Sequence, residues 1–240
     1  MDSAGYVALS RQIGLMNELQ VVANNLANIS TPGFRREGVV FAEVLSGTED
    51  SLGTLAMASG RVRFTDDQQG TLEKTGATFD LAVQGNGFLA VLTPQGERIT
   101  RAGLFLRNSN GEIATAGGYQ LLDTGGAPIF VPTETRNIAI SADGTVSGDG
   151  NPLAQVGIFD VSDVTKLVRE DGVLFRDESG LNPAEGSTLA QGFIESSNVE
   201  PVFEISRMIE VQRAYELGQN FIDREDERIR SVVRTLGPTR

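Results

Sequence analysis

Met208, Tyr215, Ile222, Ile229 and Leu236 recur at every seventh position of the C-terminal end, without a break. An apolar repeat sustained that far dictates a long helix whose seam must be covered by another helix. The N-terminal end carries two stripes of the same kind. Tyr6, Leu9, Ile13 and Met16 follow 3-4-3 spacing, and Leu15, Leu19, Val22, Leu26 and Ile29 follow 4-3-4-3. Seams at both ends, with the rest of the chain between them, leave few folds open. The helices bury these seams on each other or on helices of other subunits. The pattern points to assembly before it points to chemistry.

The spacing predicts a helix over residues 3–29, ~40 Å long at ~1.5 Å per residue. Ser30-Thr31-Pro32-Gly33 is its stop, because Pro32 lacks a backbone donor and biases Thr31 away from helical angles. A second helix is expected from Pro201, with Glu200 and Glu204 at its positive end, to about Leu236, where Gly237-Pro238 ends it. At ~50 Å it outreaches a small domain. Its companion stripe reads Ile205, Gln212, Gln219, Asp226, Val233, with three polar residues that would weaken a two-stranded coil. Ile209, Val211, Ala214, Leu217 and Phe221 spread to other faces. Several neighbours in a bundle suit this helix better than one.

Between the helices, residues 34–78 read as an irregular connector. Val39, Phe41 and Val44-Leu45 suggest a short strand or turn of helix, Glu49-Asp50-Ser51 and Ala58-Ser59-Gly60 a loop, and Arg61–Thr65 a strand. From 79 to 176 the period becomes two. Apolar runs at 79–83, 87–92, 119–122, 129–131 and 137–140 alternate with turn signals such as Asn110-Gly111, Asp143-Gly144 and Asp149-Gly150. Asn-Gly and Asp-Gly supply the positive φ that two-residue hairpins need. A barrel or sandwich of hairpins is expected there, and 177–200 reads as a loop-like connector. The expected class is α+β: a discontinuous helical coiled-coil domain from residues 1–33 and 201–240, around a central all-β domain.

Composition narrows function. Lys and Arg total 20 against 32 Asp and Glu, a net charge of −12 that repels nucleic acid and anionic lipid. The chain has no Cys and no His, which removes thiolate and imidazole nucleophiles and their zinc sites. Met1–Tyr6 shows neither the basic nor the apolar region of a Sec signal, and no apolar run approaches the ~20 residues that span a bilayer. The acidic, Gly-rich stretch 143–151 lacks the ligand alternation of a calcium loop and reads as two hairpin turns. Gly85-Asn86-Gly87 opens no helix, so it is no phosphate cradle. Asp223–Arg228 reads as a solvated helix face or a source of inter-subunit ion pairs. No catalytic, cofactor-binding or metal-ligating residue is expected.

Asn24-Asn25-Leu26-Ala27-Asn28 conflicts with helix propensity. It marks either fraying into the following loop or buried amides that fix register at some cost in stability. Here the chain resembles a known family. Ala23–Asn28 with Thr31-Pro32-Gly33-Phe34-Arg35 is similar to the N-terminal signature of the bacterial flagellar rod, hook and hook-filament proteins. Gly192–Val199 with Met208–Glu216 resembles their C-terminal signature. Asp80–Phe88 and Thr100-Arg101-Ala102-Gly103 resemble the opening of their β-domain. The likeness spans essentially the whole chain.

That resemblance implies a structural subunit of the axial rod, with no cofactor. Its terminal helices would pair and pack with those of neighbouring subunits into a tube that transmits torque. Its partners would be copies of itself and other rod proteins, with no nucleic acid and no membrane insertion. Export without a cleaved signal and assembly in the periplasm follow. The opening residues and modest length fit a proximal rod position, with the distal rod as the alternative. A hydrolase or sugar-binding β-domain on a coiled-coil stalk is a weaker one, because stalk seams lie in one contiguous segment. The expected assembly residues are Leu19, Asn24, Asn25, Leu26, Asn28, Phe34, Met208, Gln212, Tyr215, Ile222 and Ile229.

Overall fold

The structure, a computed structural model, describes residues 3–46, 55–161, 166–177, 180–184 and 186–236. The chain forms two compact units, one from 1–27, 37–64 and 200–240, the other from 28–36 and 65–199. The first holds α1 (Ser3–Ala27), the paired strands β1 (Glu37–Ser46) and β2 (Leu55–Thr65), and α2 (Pro201–Leu236). Ala58-Ser59-Gly60, expected as loop, lies inside β2. Glu49-Asp50-Ser51 and Gly237-Pro238 lie outside the described residues.

The helices of this unit pack antiparallel. Gln12 Nε2 donates to the Tyr215 carbonyl at 3.0 Å, Arg207 Nε reaches Glu18 Oε1 at 2.6 Å, and Asn25 Nδ2 reaches Glu204 Oε2 at 3.2 Å. The covered face of α2 corrects the companion stripe. Glu204, Met208, Val211, Tyr215, Gly218, Ile222 and Glu225 are buried or half-buried, at spacings of 4 and 3. The expected companions Ile205, Gln212, Gln219 and Asp226 are all exposed. The true companion line (Glu204, Val211, Gly218, Glu225) is mostly not apolar. The carboxylates bond to the partner segment or to a helix neighbour, and the glycine makes room, so none of them needed an apolar signature.

The register brings the start of α1 level with roughly residue 225 of α2, at ~1.5 Å per residue. The last turns of α2 extend past that point, and Ile229 is 41% exposed.

The second unit holds β3 (Leu72–Lys74), β4 (Leu81–Gln84), β5 (Phe88–Thr93), β6 (Gly96–Thr100), β7 (Phe105–Arg107), β8 (Ile113–Thr115), β9 (Gln120–Leu121), β10 (Ile138–Ile140), β11 (Thr145–Gly148) and β12 (Asn151–Gln155). It continues with β13 (Ile158–Asp160), β14 (Leu167–Asp171), β15 (Leu174–Asp177), β16 (Asn182–Pro183), β17 (Thr188–Gln191) and β18 (Phe193–Glu195). The main antiparallel sheet runs β14-β15-β6-β5-β9-β8-β7. Asp149 (φ 49°) and Gly150 (φ 86°) make the two-residue turn between β11 and β12, as Asp-Gly in a hairpin requires.

Residues 177–200, expected as loop, carry β16 to β18. β17 pairs with β4, and β18 with β3. Strands of two to four residues are too short to show alternation in sequence. Successive side chains of a strand face opposite ways, and the sheet uses both sides. Val91, Phe105, Ile113 and Leu121 enter one core with Leu81, Val83 and Ile129, while Ala90, Ile99, Leu122 and Phe175 enter another with Phe88 and Val161.

Candidate assembly interface

The two stripes of α1 have separate fates. Leu15 and Val22 are buried, and Leu19 and Leu26 are half-buried, inside the helical unit. On a separate face Leu9, Ile13 and Met16 remain 53%, 57% and 47% exposed. At 100° per residue the two lines lie roughly 120° apart around the helix, so one can be covered while the other faces solvent. Only Arg11 and Glu18 are charged among the 25 residues of α1, so its outer face has little to hold water. On α2, Val202, Phe203, Ile205, Ile209, Leu217 and Phe221 are likewise exposed. Large apolar residues aligned on solvent-facing helix lines mark surfaces built for a partner.

Polar residues fix the covered seam. Asn25, 1% exposed, donates to the Glu37 carbonyl at 2.8 Å and to Glu204 Oε2, and accepts from the Glu37 N–H at 2.9 Å. The amide therefore bonds backbone and carboxylate within its own chain, and the helix stays regular through Ala27. A buried amide of this kind selects one register over its neighbours.

In the β unit, Arg35, Arg101 and Glu195 meet in a buried cluster. Arg35 Nη2 lies 2.9 Å from Glu195 Oε1 and Arg101 Nη1 3.1 Å from Glu195 Oε2, all three side chains being at most 2% exposed. One carboxylate thus serves two guanidiniums. Backbone carbonyls supply the remaining acceptors: Asp67 (2.7 Å) and Gln68 for Arg35, Gly85 (2.7 Å) for Arg101. The Phe88 ring lies 4.8 Å from the Arg101 guanidinium. Burial, and then the neighbouring Arg35 charge, push the Arg101 pKa down to about 10 against the pull of Glu195. Burial likewise lowers Arg35, opposed by Glu195. Each Nε finds no acceptor among the described residues.

Of the expected assembly residues, Asn24, Gln212 and Ile229 are exposed, and Leu19, Leu26, Met208, Tyr215 and Ile222 are half-buried in the helical unit. Asn28 accepts from the Thr31 hydroxyl at 3.1 Å. Asn25 and Phe34 are buried in their own units, and the Arg169 guanidinium stacks on the Phe34 ring at 4.5 Å. The sequence reading missed the free stripe Leu9-Ile13-Met16 as a surface, although it had read its spacing. It also missed the arginine–glutamate cluster. Among the described residues no helix is long and apolar enough to cross a membrane, and no group of acidic side chains is arranged to hold a metal.

Three segments match known families. Residues 6–35 match the family described as flagella basal body rod protein, 82–148 the flagellar hook protein FlgE/F/G D1 domain, and 190–235 the flagellar basal body rod FlgEFG protein C-terminal region. The flagellar basal-body rod protein FlgF of Caulobacter vibrioides is 37% identical, over 99% of each chain. The chain belongs to the flagellar basal-body rod family. FlgF of Mesorhizobium japonicum is 35% identical over 99% of each chain. FlgG of Bacillus subtilis is 30% identical over 95% of this chain and 97% of its own. Among these relatives the rod subunit described here is more like FlgF than FlgG. The family is structural rather than enzymatic, which agrees with a site made of packing faces. Arg35, Arg101 and Glu195 fall one in each of the three matched segments.

Proposed function

We propose that the chain is a subunit of the proximal part of the flagellar axial rod, assembling through its terminal helices into a helical tube that transmits torque. The observation that carries this is the solvent-exposed Leu9-Ile13-Met16 stripe, on a face of α1 apart from the Leu15-Leu19-Val22-Leu26 line. A helix pair with one seam closed internally and another left open adds helices from outside. Contacts between different surfaces of successive copies extend into a helix when their rotation does not close. The partners are copies of the same chain and other rod proteins. The place of action is the basal body, reached by export without a cleaved signal and entered from the periplasm. The greater likeness to FlgF supports the proximal position. Imaging of the tagged subunit in isolated basal bodies tests it, and signal confined to the distal rod would reverse it.

The assembly surface is tested by the double substitution Ile13→Glu/Met16→Glu. Both side chains face solvent, so the purified monomer should keep its stability within about 0.5 kcal/mol. In a strain lacking the native subunit it should give neither rods nor motility. Normal rods from that variant would sink the reading.

A further inference from the structure

Three stretches of the β unit, 31–36, 65–70 and 193–199, end at three of the four points where the chain leaves or enters that unit. They are bound to one another. Gly33 N–H donates to the Glu195 carbonyl at 2.7 Å, and Asp66 N–H to the Arg36 carbonyl at 2.8 Å. Arg36 N–H donates to Asn198 Oδ1 at 2.6 Å, and Asn198 Nδ2 to the Gln68 carbonyl at 2.9 Å. Gly70 N–H donates to Glu195 Oε1 at 3.1 Å. The Arg35–Glu195–Arg101 cluster lies at the centre of this set and touches all three stretches, with Arg101 anchoring it to the Gly85 carbonyl.

We infer that Arg35, Arg101 and Glu195 form a latch that locks these three stretches of the β unit to one another, and that they act in rod assembly as positioning residues. Two features separate this from ordinary core packing. Two buried cations share one anion, an arrangement that well-packed apolar residues would replace without loss of stability. The forked geometry, in contrast, fixes direction: Arg35 spans Glu195 and the carbonyls of Asp67 and Gln68, so a shift of any of the three stretches breaks a charged bond, while Arg101 ties Glu195 to Gly85. A structural subunit whose helices assemble needs its exit segments held at a fixed spacing. The role in assembly rests on the terminal-helix reading above, whereas the latch itself does not.

The first test uses the unmodified full-length protein. Native-state hydrogen exchange should show the amides of Gly33 and of Ser196, which donates to the Thr71 carbonyl at 2.9 Å, protected within about tenfold of Val131 and Val156, which lie in the β core. Exchange more than a hundredfold faster at Gly33 and Ser196 would overturn the latch. The second test is Arg35→Met/Arg101→Met/Glu195→Leu. The purified variant should keep the thermal midpoint and core amide protection of the β unit, with at least tenfold faster exchange at Gly33, and should fail to restore rods. Unchanged exchange or normal rods in the folded variant would overturn the positioning role. If this variant does not fold, Arg35→Lys decides. It keeps the charge and loses the fork, and should raise Gly33 exchange at least tenfold and reduce motility. No change in either readout would overturn the proposal. Ile13→Glu/Met16→Glu serves as the control: if it assembles, the helix reading fails and the exchange result still judges the latch.

Discussion

Gly218 of α2 lies directly against Gln12 of α1: a Cβ at Gly218 would come 2.8 Å from Gln12 Nε2. That amide is the one donating to the Tyr215 carbonyl. Glycine in a helix interior costs roughly 1 kcal/mol relative to alanine, and here it lets a glutamine side chain lie across the partner helix. Gly218→Leu should push the helices apart and eject Gln12 from its bond. The expected loss is about 1–3 kcal/mol, read as a lower midpoint in urea unfolding followed by far-UV circular dichroism. An unchanged midpoint would mean that the helices do not meet at this crossing.

Asn25→Leu removes all three bonds of the buried amide to Glu37 and Glu204 while keeping the same branched arrangement of four side-chain heavy atoms. Leaving buried polar partners behind costs about 1–3 kcal/mol. The loss should appear in the helical signal at equilibrium. The variant should also broaden the set of helix registers, visible as extra amide resonances from α2. One sharp set of resonances with wild-type stability would show that the amide specifies nothing.

Both terminal helices were legible because their apolar residues keep heptad spacing, and the Asp149-Gly150 hairpin was legible because its turn chemistry is local. The companion stripe of α2 was misread for a physical reason. Pattern reading follows apolar side chains, and the face that meets α1 uses Glu204, Gly218 and Glu225 beside Val211. The arginine–glutamate cluster was invisible for another reason. Arg35, Arg101 and Glu195 each stand inside a recognised motif, but only the sheet pairings that bring β18 to β3 and β4 to β17 place them together. Charged residues far apart in sequence carry no mark of future burial. The short strands between 182 and 195 escaped because two to four residues cannot display a period.

Glu170 stands at the irregular step between Arg169 and Asp171 where β14 pairs with β15, and bridges two arginines. Arg98 Nε lies 2.5 Å from one oxygen and Arg176 Nε 2.8 Å from the other. Hydrogen bonds from Arg98 and then Arg176 hold its carboxyl below the ordinary glutamate value of 4.5. A carboxylate with a depressed folded pKa contributes stability that is fully present above its unfolded value. The contribution is lost as pH falls through the folded value. Glu170→Gln should therefore lower the melting temperature at neutral pH, and the gap to wild type should shrink as pH falls below the ordinary glutamate value. A gap that stays constant with pH would assign the effect to packing instead of charge.

Gly33 has φ +71°, and a Cβ on it would lie 2.2 Å from the backbone nitrogen of Ala102. Two independent penalties therefore meet at one position. The left-handed backbone costs an L-residue about 1–2 kcal/mol, and the overlap is with main chain, which cannot rotate away as a side chain would. The Gly33 N–H also carries the 2.7 Å bond to the Glu195 carbonyl, so any shift that relieves the overlap strains the arginine–glutamate cluster beside it. Gly33→Ala should cost more than about 3 kcal/mol, whereas Gly76→Ala should pay only the backbone term. Gly76 has a similar φ of +75° but nothing within 4 Å of its Cβ position. Thermal unfolding of the two variants side by side separates the terms. Equal losses at both positions would show that the Ala102 contact adds nothing to the conformational cost.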